Sequence, residues 1–318
     1  MASAPAVVVE GLTKRYGRFT ALDGVSFSVS RGSIYGFLGP NGAGKTTALR
    51  ILATLLLPSG GHAWVAGEDV VARPEHARRH IGYMPDFFGV YDDLTVREYL
   101  EFYAQAQGVP RGQWRKAIDD LLELVDLGPK REEYVETLSR GMKQRLGLAR
   151  CLVHDPEVLL LDEPASGLDP RARVEMREVL KEIARMGKTV VISSHILPEL
   201  ADLSTEVGII HRGRIVASGP VGQIVARLGT ERVLEVRVLG QAEQAGHVLE
   251  AQRGVGGVEV VPEEGLVRAA FAGGVEAQAA VLAALVGAGV PVVSFTAAAG
   301  LEELFLALTE EREGDGTS

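Results

Sequence analysis

One stretch decides the fold: Gly39-Pro40-Asn41-Gly42-Ala43-Gly44-Lys45-Thr46-Thr47. It lies between an apolar segment at 34–38, which we predict to be a β-strand, and an apolar-periodic segment at 46–56, which we predict to be a helix. The pattern G-x-x-x-x-G-K-[ST] in this setting is typical of a phosphate-binding loop, because its glycines let successive N–H groups turn toward phosphate oxygens. A glycine-rich turn that matches by chance is the alternative, and the flanking strand and helix favour the loop.

The residues at the end of the loop have separate expected roles. Lys45 would reach the β- and γ-phosphates as a point charge and assist catalysis, and the Thr46 hydroxyl would bind Mg²⁺. Thr47 could touch the α-phosphate. The loop also ends at a helix N-terminus, where free N–H groups and the helix dipole favour an anion. The sequence therefore predicts a nucleotide-phosphate site.

A second motif, Val158-Leu159-Leu160-Leu161-Asp162-Glu163-Pro164, follows downstream. Four apolar residues that lead into two carboxylates indicate a buried parallel strand, with its charges at the ligand crevice. We expect Asp162 to hold Mg²⁺ through water and Glu163 to polarise the attacking water. Acids at strand ends also cap helices or face solvent, and the phosphate loop makes that alternative less favoured.

Three further segments identify a family. They are Leu138-Ser139-Arg140-Gly141-Met142-Lys143-Gln144-Arg145, Ser166-Gly167-Leu168-Asp169 and Ser193-Ser194-His195. With them the chain resembles the ATP-binding cassette (ABC) ATPases, in which the Leu-Ser-Gly-Gly-Gln signature of one protomer caps the ATP bound by the other. The resemblance implies a head-to-tail dimer with two ATP molecules at its interface.

The same resemblance assigns roles to individual residues. Ser139 and the Gly141 N–H would donate to a γ-phosphate, which suits their place at the start of a helix. Asp169 would lie at the dimer contact, and His195 would sense the γ-phosphate and orient water and Glu163. His195 taken alone could be an ordinary strand-end histidine, and its position after an apolar strand favours the catalytic role. Tyr16 would stack on adenine, with a half-buried surface ring as the alternative.

The chain departs from the family pattern at two places. Arg140 and Met142 stand where the consensus signature has Gly and Gln, while Ser139 and Gly141 are retained. Asp86 stands where the family most often has Gln, and a carboxylate is shorter and cannot donate a hydrogen bond when ionised. Its contact with Mg²⁺ or water is therefore open. The segment 87–91 that follows resembles the loop that couples to a membrane partner.

Composition limits the other classes of function. The net charge of −9 argues against a nucleic-acid surface, and the basic clusters at 73–79 and 140–145 are expected to be solvated helix faces. One cysteine excludes an intrachain disulfide, and Cys151 is expected to be a small core residue. The seven histidines show no spacing that indicates zinc. No signal peptide is expected at the N-terminus.

The fold class expected is α/β: a P-loop NTPase cassette of the ABC type with an antiparallel β subdomain and a helical insert, followed by a small ferredoxin-like α+β domain. The antiparallel sheet is expected from 6–36 and 62–72, the helical subdomain at about 92–154, and the end of the ATP-binding domain at 225. An accessory domain at 230–309 and a disordered tail at 310–318 would follow.

The accessory domain is predicted from the alternation of apolar and polar residues along its strands and from the glycines and prolines that interrupt its apolar segments. We predict the order β-α-β-β-α-β, with strands at 233–239, 257–261, 265–271 and 290–296, helices at 241–252 and 275–286, and a last helix at 301–309. The uncharged run 279–299 is long enough to suggest a membrane span, but Gly287, Gly289 and Pro291 interrupt it. The C-terminal part resembles that of daunorubicin-type exporter ATPases.

The leading hypothesis is the ATPase subunit of an ABC exporter, which would bind ATP and Mg²⁺ and lie at the cytoplasmic face of the membrane on a separate permease. An importer subunit is an alternative. A soluble regulatory ABC ATPase that acts on ribosomes or DNA is another, although such proteins carry two cassettes or long coiled-coil insertions, which this sequence lacks. No nucleic-acid partner is expected, and the transported substrate is left open.

Overall fold

The computed structural model describes residues 4–87, 89–228 and 232–298. The chain divides into two compact units between Val221 and Gly222, and each is described by itself. The strands of the first unit are Val7–Tyr16 (β1), Phe19–Val29 (β2), Ile34–Leu38 (β3), Gly60–Val65 (β4), Glu68–Asp69 (β5), Ile81–Met84 (β6), Val158–Asp162 (β7), Thr189–Ser194 (β8), Glu206–His211 (β9) and Arg214–Pro220 (β10). Its α-helices are Lys45–Leu52 (α1), Pro74–Arg79 (α2), Val96–Ala106 (α3), Trp114–Leu124 (α4), Arg140–Leu152 (α5), Pro170–Arg185 (α6) and Leu197–Ala201 (α7).

A six-stranded sheet in the order β10-β9-β3-β8-β7-β6 forms the centre of this unit. Its strands are parallel except for β10, which pairs antiparallel with β9 at one edge. Every residue of β3, β7 and β8 is buried, which explains their nearly continuous apolar sequences. Since these three strands are neighbours and run in the same direction, the residues that follow them meet at one edge of the sheet.

Helix α1 follows β3 and is shorter than the sequence predicts. The prediction extended it to residue 56, but it ends at Leu52. Thr54 takes a left-handed conformation with φ 61°, and the Leu55 N–H donates to the Arg50 carbonyl at 2.9 Å. A left-handed residue closes a helix in this way, and sequence pattern does not reveal it when the residue is a threonine.

The second sheet of the unit is antiparallel, with the order β2-β1-β4-β5. The sequence assigned the short β segments within 6–36 and 62–72 to this sheet, and that is wrong for the last three residues of the first range. Residues 34–36 belong to β3 in the central sheet, where Tyr35 lies opposite Val191 and Glu206. The strand that leads into the phosphate loop is thus held by parallel neighbours on both sides.

The helical insert comprises α3, α4 and α5. Helix α3 begins with a capping box, in which Thr95 and Glu98 satisfy each other's backbone N–H groups. Helix α5 begins at Ser139, whose Oγ accepts from the Met142 N–H at 3.3 Å. The interpretation of 140–145 as a solvated face is wrong at Arg145, which is buried and lies 3.2 Å from Asp126 Oδ2 and 3.5 Å from Glu175 Oε2.

The second unit contains Arg232–Val238 (β11), Ala242–Glu250 (α9), Val255–Val261 (β12), Leu266–Phe271 (β13), Val275–Gly287 (α10) and Val292–Ala298 (β14), preceded by helix Val221–Leu228 (α8). The sheet order is β12-β13-β11-β14 with every pair antiparallel, which matches the predicted β-α-β-β-α-β fold. Leu234, Val236, Phe271 and Leu285 lie in its core. The helix predicted at 301–309 and the tail at 310–318 lie outside the described residues.

Two smaller predictions concern apolar segments. The run 279–299 contributes to α10 and β14, with Gly289 at φ 75° between them. Within the part of the chain that the structure describes, no helix is long and apolar enough to cross a membrane. Cys151 is buried, as predicted, and its Sγ donates to the Tyr83 carbonyl at 3.2 Å.

Candidate functional site

The phosphate loop adopts the conformation that its glycines permit. Gly42 and Gly44 have φ values of 81° and 112°, in the region that favours glycine. A Cβ on Gly44 would lie 2.7 Å from the Ala21 carbonyl oxygen and 2.8 Å from Leu22 Cδ2, and a Cβ on Gly39 would overlap the Ile210 carbonyl. Gly39 and Ala43 of the loop are buried. The loop is therefore fixed by close packing as well as by backbone freedom.

Lys45 is folded back over this loop. Its side chain is only 4% exposed, and its Nζ donates to the carbonyls of Gly39 and Pro40 at 2.6 and 3.2 Å. The same Nζ lies 3.2 Å from Glu163 Oε1. A buried ammonium group needs such partners, and a phosphate group would supply stronger ones at the same position.

Asp162 ends β7 with a buried carboxylate. Its Oδ1 accepts a 2.7 Å hydrogen bond from the Ser193 hydroxyl, whereas its Oδ2 is buried and has no hydrogen-bond partner among the described residues. A carboxylate oxygen in that state is costly unless a cation or water satisfies it. Oxygen ligands are those that Mg²⁺ prefers, and Thr46 supplies a hydroxyl in the first turn of α1. The donor set therefore fits a magnesium ion.

Glu163 stands in a strained conformation at the centre of the site. Its φ is 48°, which is uncommon for a residue other than glycine and occurs mostly where the surroundings fix it. The Ser193 hydroxyl accepts from the Glu163 N–H at 2.9 Å and so holds this backbone in place. The carboxylate lies between Lys45 and His195, with 2.9 Å between Glu163 Oε2 and His195 Nδ1. His195 is 43% exposed and remains accessible to a ligand.

Glu163 and His195 share one cavity with the phosphate loop. Its wall comprises Tyr16, Phe19, Ala21, Pro40, Asn41, Gly42, Gly44, Lys45, Thr46, Thr47, Asp86, Glu163, Ser166 and His195. At one side of the wall are two rings, Tyr16 and Phe19, which are 48% and 62% exposed. Lys14 Nζ lies 5.2 Å from the centre of the Tyr16 ring. Exposed aromatic faces beside a phosphate site suit a nucleobase.

Asp86 adds a second carboxylate to the cavity wall, beside that of Glu163. Partial burial raises the pKa of this carboxyl above its ordinary value, and the nearby charges of Glu163 and Asp162 raise it further. Arg140 and His195 partly offset that effect. The site thus brings three acids together with a single lysine, an arrangement that a bound cation would relieve.

Among the residues assigned to a partner's nucleotide, Ser139, Gly141 and Asp169 do not line this cavity. Ser139 caps α5, and Gly141 lies in the first turn of the same helix. Asp169 caps α6, since its Oδ1 accepts from the N–H groups of Arg171 and Ala172 at 3.0 Å each. Each segment presents a helix N-terminus, which suits anion contacts.

Sequence reasoning gave no role to several residues that the structure places in the site. Phe19, Ala21 and Ser166 line the cavity, and Ser193 supports both acids. Phe19 had a signal that could have been used, because it is a second aromatic residue directly across the tight turn at 17–18 from Tyr16. Ser193 had none, since its role depends on its register opposite Asp162.

Comparison with known proteins gives concordant results. A family model described as ABC transporter matches residues 22–166. The daunorubicin resistance ATP-binding protein DrrA3 of Streptomyces coeruleorubidus is 37% identical over 96% of both chains. The Nod factor export ATP-binding protein I of Ralstonia nicotianae is 42% identical over 70% of both. A solved structure described as the ATP binding subunit of an ABC transporter is 29% identical, with a TM-score of 0.64, over 70% of this chain and 93% of the other.

Proposed function

Because the chain belongs to the ATP-binding proteins of ABC transporters, it binds and hydrolyses ATP, and we propose that it does so as a head-to-tail dimer that powers export through a separate permease. One observation carries the catalytic part of the proposal: the Glu163 carboxylate lies between Lys45 and His195 at the mouth of the phosphate loop. That position suits a group that polarises water beside a γ-phosphate.

Binding of ATP begins at the loop. The phosphate oxygens accept hydrogen bonds from the loop N–H groups and replace Gly39, Pro40 and Glu163 as partners of Lys45. Thr47 contacts the α-phosphate, and the rings of Tyr16 and Phe19 hold the adenine. Lys45 thus releases the Glu163 carboxylate at the moment when the phosphates arrive.

The magnesium ion would be held by the Thr46 hydroxyl and by Asp162. Asp86, which lines the nucleotide cavity together with Thr46, is a further candidate carboxylate. When bound, the magnesium ion neutralises charge on the β- and γ-phosphates. Ser193 fixes the Asp162 oxygen on the other side and keeps that carboxylate oriented. The unpartnered Oδ2 of Asp162 is the atom in the described site that most needs a cation.

Hydrolysis then uses Glu163 and His195. Glu163 accepts a proton from water as the water oxygen bonds to the γ-phosphorus and the bond to the β,γ-bridging oxygen breaks, giving ADP and phosphate. The Glu163 carboxyl then loses that proton to solvent. His195, held at 2.9 Å from Glu163, orients that carboxylate and contacts the γ-phosphate. Lys45 stabilises the charge on the phosphate oxygens as it develops.

The second protomer completes the site. Ser139 and the Gly141 N–H of one copy would donate to the γ-phosphate bound by the other, and Asp169 would lie at the contact between copies. Support comes from the two helix N-termini that carry these residues, together with the absence of Ser139, Gly141 and Asp169 from the described lining of the cavity. ATP closes the dimer only through its better fit to the closed state, and hydrolysis reopens it.

Export is favoured over import by the relatives, because one is named for daunorubicin resistance and another for Nod factor export. A surface for the permease is offered by aromatic residues near Asp86: Phe87 is 88% exposed, Tyr91 is 52% exposed, and Tyr91 packs edge-on against Phe102 at 5.2 Å. Exposed apolar groups of this kind suit a protein contact. The chain would act at the cytoplasmic face of the membrane.

The transport role is tested by purification of a tagged chain from detergent-solubilised membranes of its own host, followed by mass spectrometry. We expect a multi-helix permease to copurify, and its sequence would separate export from import. An untagged strain is the control. Recovery from the soluble fraction alone, or with ribosomes, would contradict the proposal and favour a regulatory ABC ATPase.

Asp86→Gln tests the departure from the family pattern. Glutamine is neutral and one methylene longer, so it relieves repulsion from Glu163 and Asp162. We expect it to change ATPase activity measured with the permease severalfold and to change ATP affinity by less than about twofold, which is under 0.5 kcal/mol. Isothermal titration calorimetry and a coupled ATPase assay measure the two. A large affinity change with unaltered coupling would make Asp86 a direct nucleotide ligand.

A further inference from the structure

The arginine that departs from the signature consensus reaches a second functional segment of the same protomer. Arg140, the first residue of α5, donates from Nη2 to the Ser166 carbonyl at 3.2 Å. Its guanidinium also occupies the space beside Gly167, where a Cβ would overlap it. Gly167 has φ 66° and no side chain, so the guanidinium lies directly on the backbone of this loop.

The loop that Arg140 contacts is continuous with the catalytic acid. It begins at Glu163 and ends at Asp169, the cap of α6. Inside it, the Ser166 N–H donates to the Glu163 carbonyl at 3.0 Å, and the Leu168 N–H donates to the Ala165 carbonyl at 3.3 Å. Ser166 also lines the nucleotide cavity. A displacement of the Ser166 backbone would therefore move Glu163.

Two further contacts fix the start of α5 against α6. A Cβ on Gly141 would lie 2.9 Å from Ala172 Cβ, so the two helices approach closely there. One turn on, the buried Arg145 lies 3.5 Å from Glu175. These contacts join the helices, whereas the Arg140 bond reaches the loop between Glu163 and α6. It is a direct polar link from the signature turn to that loop.

We propose that Arg140 is a positioning residue that links the signature turn to the loop 163–169, so that capping of the partner's ATP by Ser139 fixes Glu163 in the protomer's own site. The inference rests on the proposed head-to-tail dimer. Its physical basis is a charge-assisted hydrogen bond to a carbonyl and close packing on a glycine. The link makes hydrolysis at the two sites cooperative.

Arg140→Ala tests this link. We expect kcat to fall about tenfold, the effect of one charge-assisted hydrogen bond, and the Hill coefficient for ATP to fall from above 1 to 1. The affinity of the dilute monomer for a fluorescent ATP analogue should be unchanged. Arg140→Lys keeps a donor and should retain part of the kcat. Arg171→Ala is the matched control, because Arg171 is 89% exposed at the start of α6 and carries the same charge.

A second variant tests the contact from the other side. Gly167→Ala should displace the guanidinium and lower kcat, and the decrease should be smaller in an Arg140→Ala background than in the parent. Additive effects of the two substitutions would overturn the proposal, as would parental kcat and cooperativity in Arg140→Ala. A parent with a Hill coefficient of 1 would also overturn it. Failure of the proposed function would look different, because the parent itself would then form no ATP-dependent dimer.

Discussion

Glu163→Gln is expected to lower kcat for ATP hydrolysis by about 10²- to 10⁴-fold, the range that a general base contributes. Glutamine has nearly the same shape, so the side chain can still lie between Lys45 and His195, but it has no negative charge with which to polarise water. The backbone at φ 48° remains held by the Ser193 hydroxyl. Affinity for ATP should be preserved or increased, because Lys45 loses a competing carboxylate. Phosphate release under saturating ATP measures the first effect, and calorimetry measures the second.

The matched control is Glu178→Gln, which makes the same chemical change at an exposed position on α6. Glu178 pairs with Lys181 at 3.0 Å on the surface, where an ion pair contributes little. Its kcat should equal that of the parent. If Glu163→Gln hydrolysed ATP at even half the parental rate, Glu163 would not be the general base. Asp86 and His195 would then be the candidates for that role.

Gly44→Ala is expected to lower ATP affinity by more than about a hundredfold, over 2.7 kcal/mol. The added methyl group would meet the Ala21 carbonyl oxygen at 2.7 Å and Leu22 Cδ2 at 2.8 Å, and a backbone carbonyl cannot move aside without moving its strand. The loop would have to open, which would turn its N–H groups away from the phosphates. Titration with ATP measures the loss, and thermal unfolding monitored by circular dichroism shows whether the fold persists.

Gly42→Ala is the control for that experiment. Gly42 also has a positive φ, 81°, but a Cβ there would meet nothing within 4 Å. It carries only the conformational cost of a left-handed alanine, about 1–2 kcal/mol. ATP affinity should stay within about thirtyfold, about 2 kcal/mol, of the parent. Equal losses in the two variants would mean that conformation alone, and not packing against Ala21 and Leu22, fixes the loop.

Much of the fold follows from patterns that are local in the sequence. The order of elements in the second unit could be predicted because each strand shows alternating apolar and polar residues and is bounded by turns that contain glycine. The strand before Asp162 could be predicted because burial on both faces of a parallel sheet requires an apolar run. The same logic located the phosphate loop, since its glycines, lysine and following helix are contiguous.

What could not be predicted depends on contacts between distant segments. The support that Ser193 gives to Glu163 follows from the register of two strands, which the sequence does not state. Arg145 was assigned to solvent because arginines are mostly exposed, but Asp126 and Glu175 arrive from other elements and allow its burial. Thr54 ends α1 in a conformation that threonine seldom adopts. In each case the sequence pattern alone predicts what such a residue most often does, and the contacts with distant segments produce something else.

The central claim, that a second copy completes each nucleotide site, is tested most directly by cross-linking between two single-cysteine chains. One carries Asn41→Cys in the phosphate loop and the other carries Met142→Cys in the signature turn, both with Glu163→Gln and Cys151→Ala. A head-to-tail dimer gives a cross-linked species only when the two chains are mixed with ATP and Mg²⁺. A cross-link that forms equally without ATP, or between two Asn41→Cys chains, would contradict the claim.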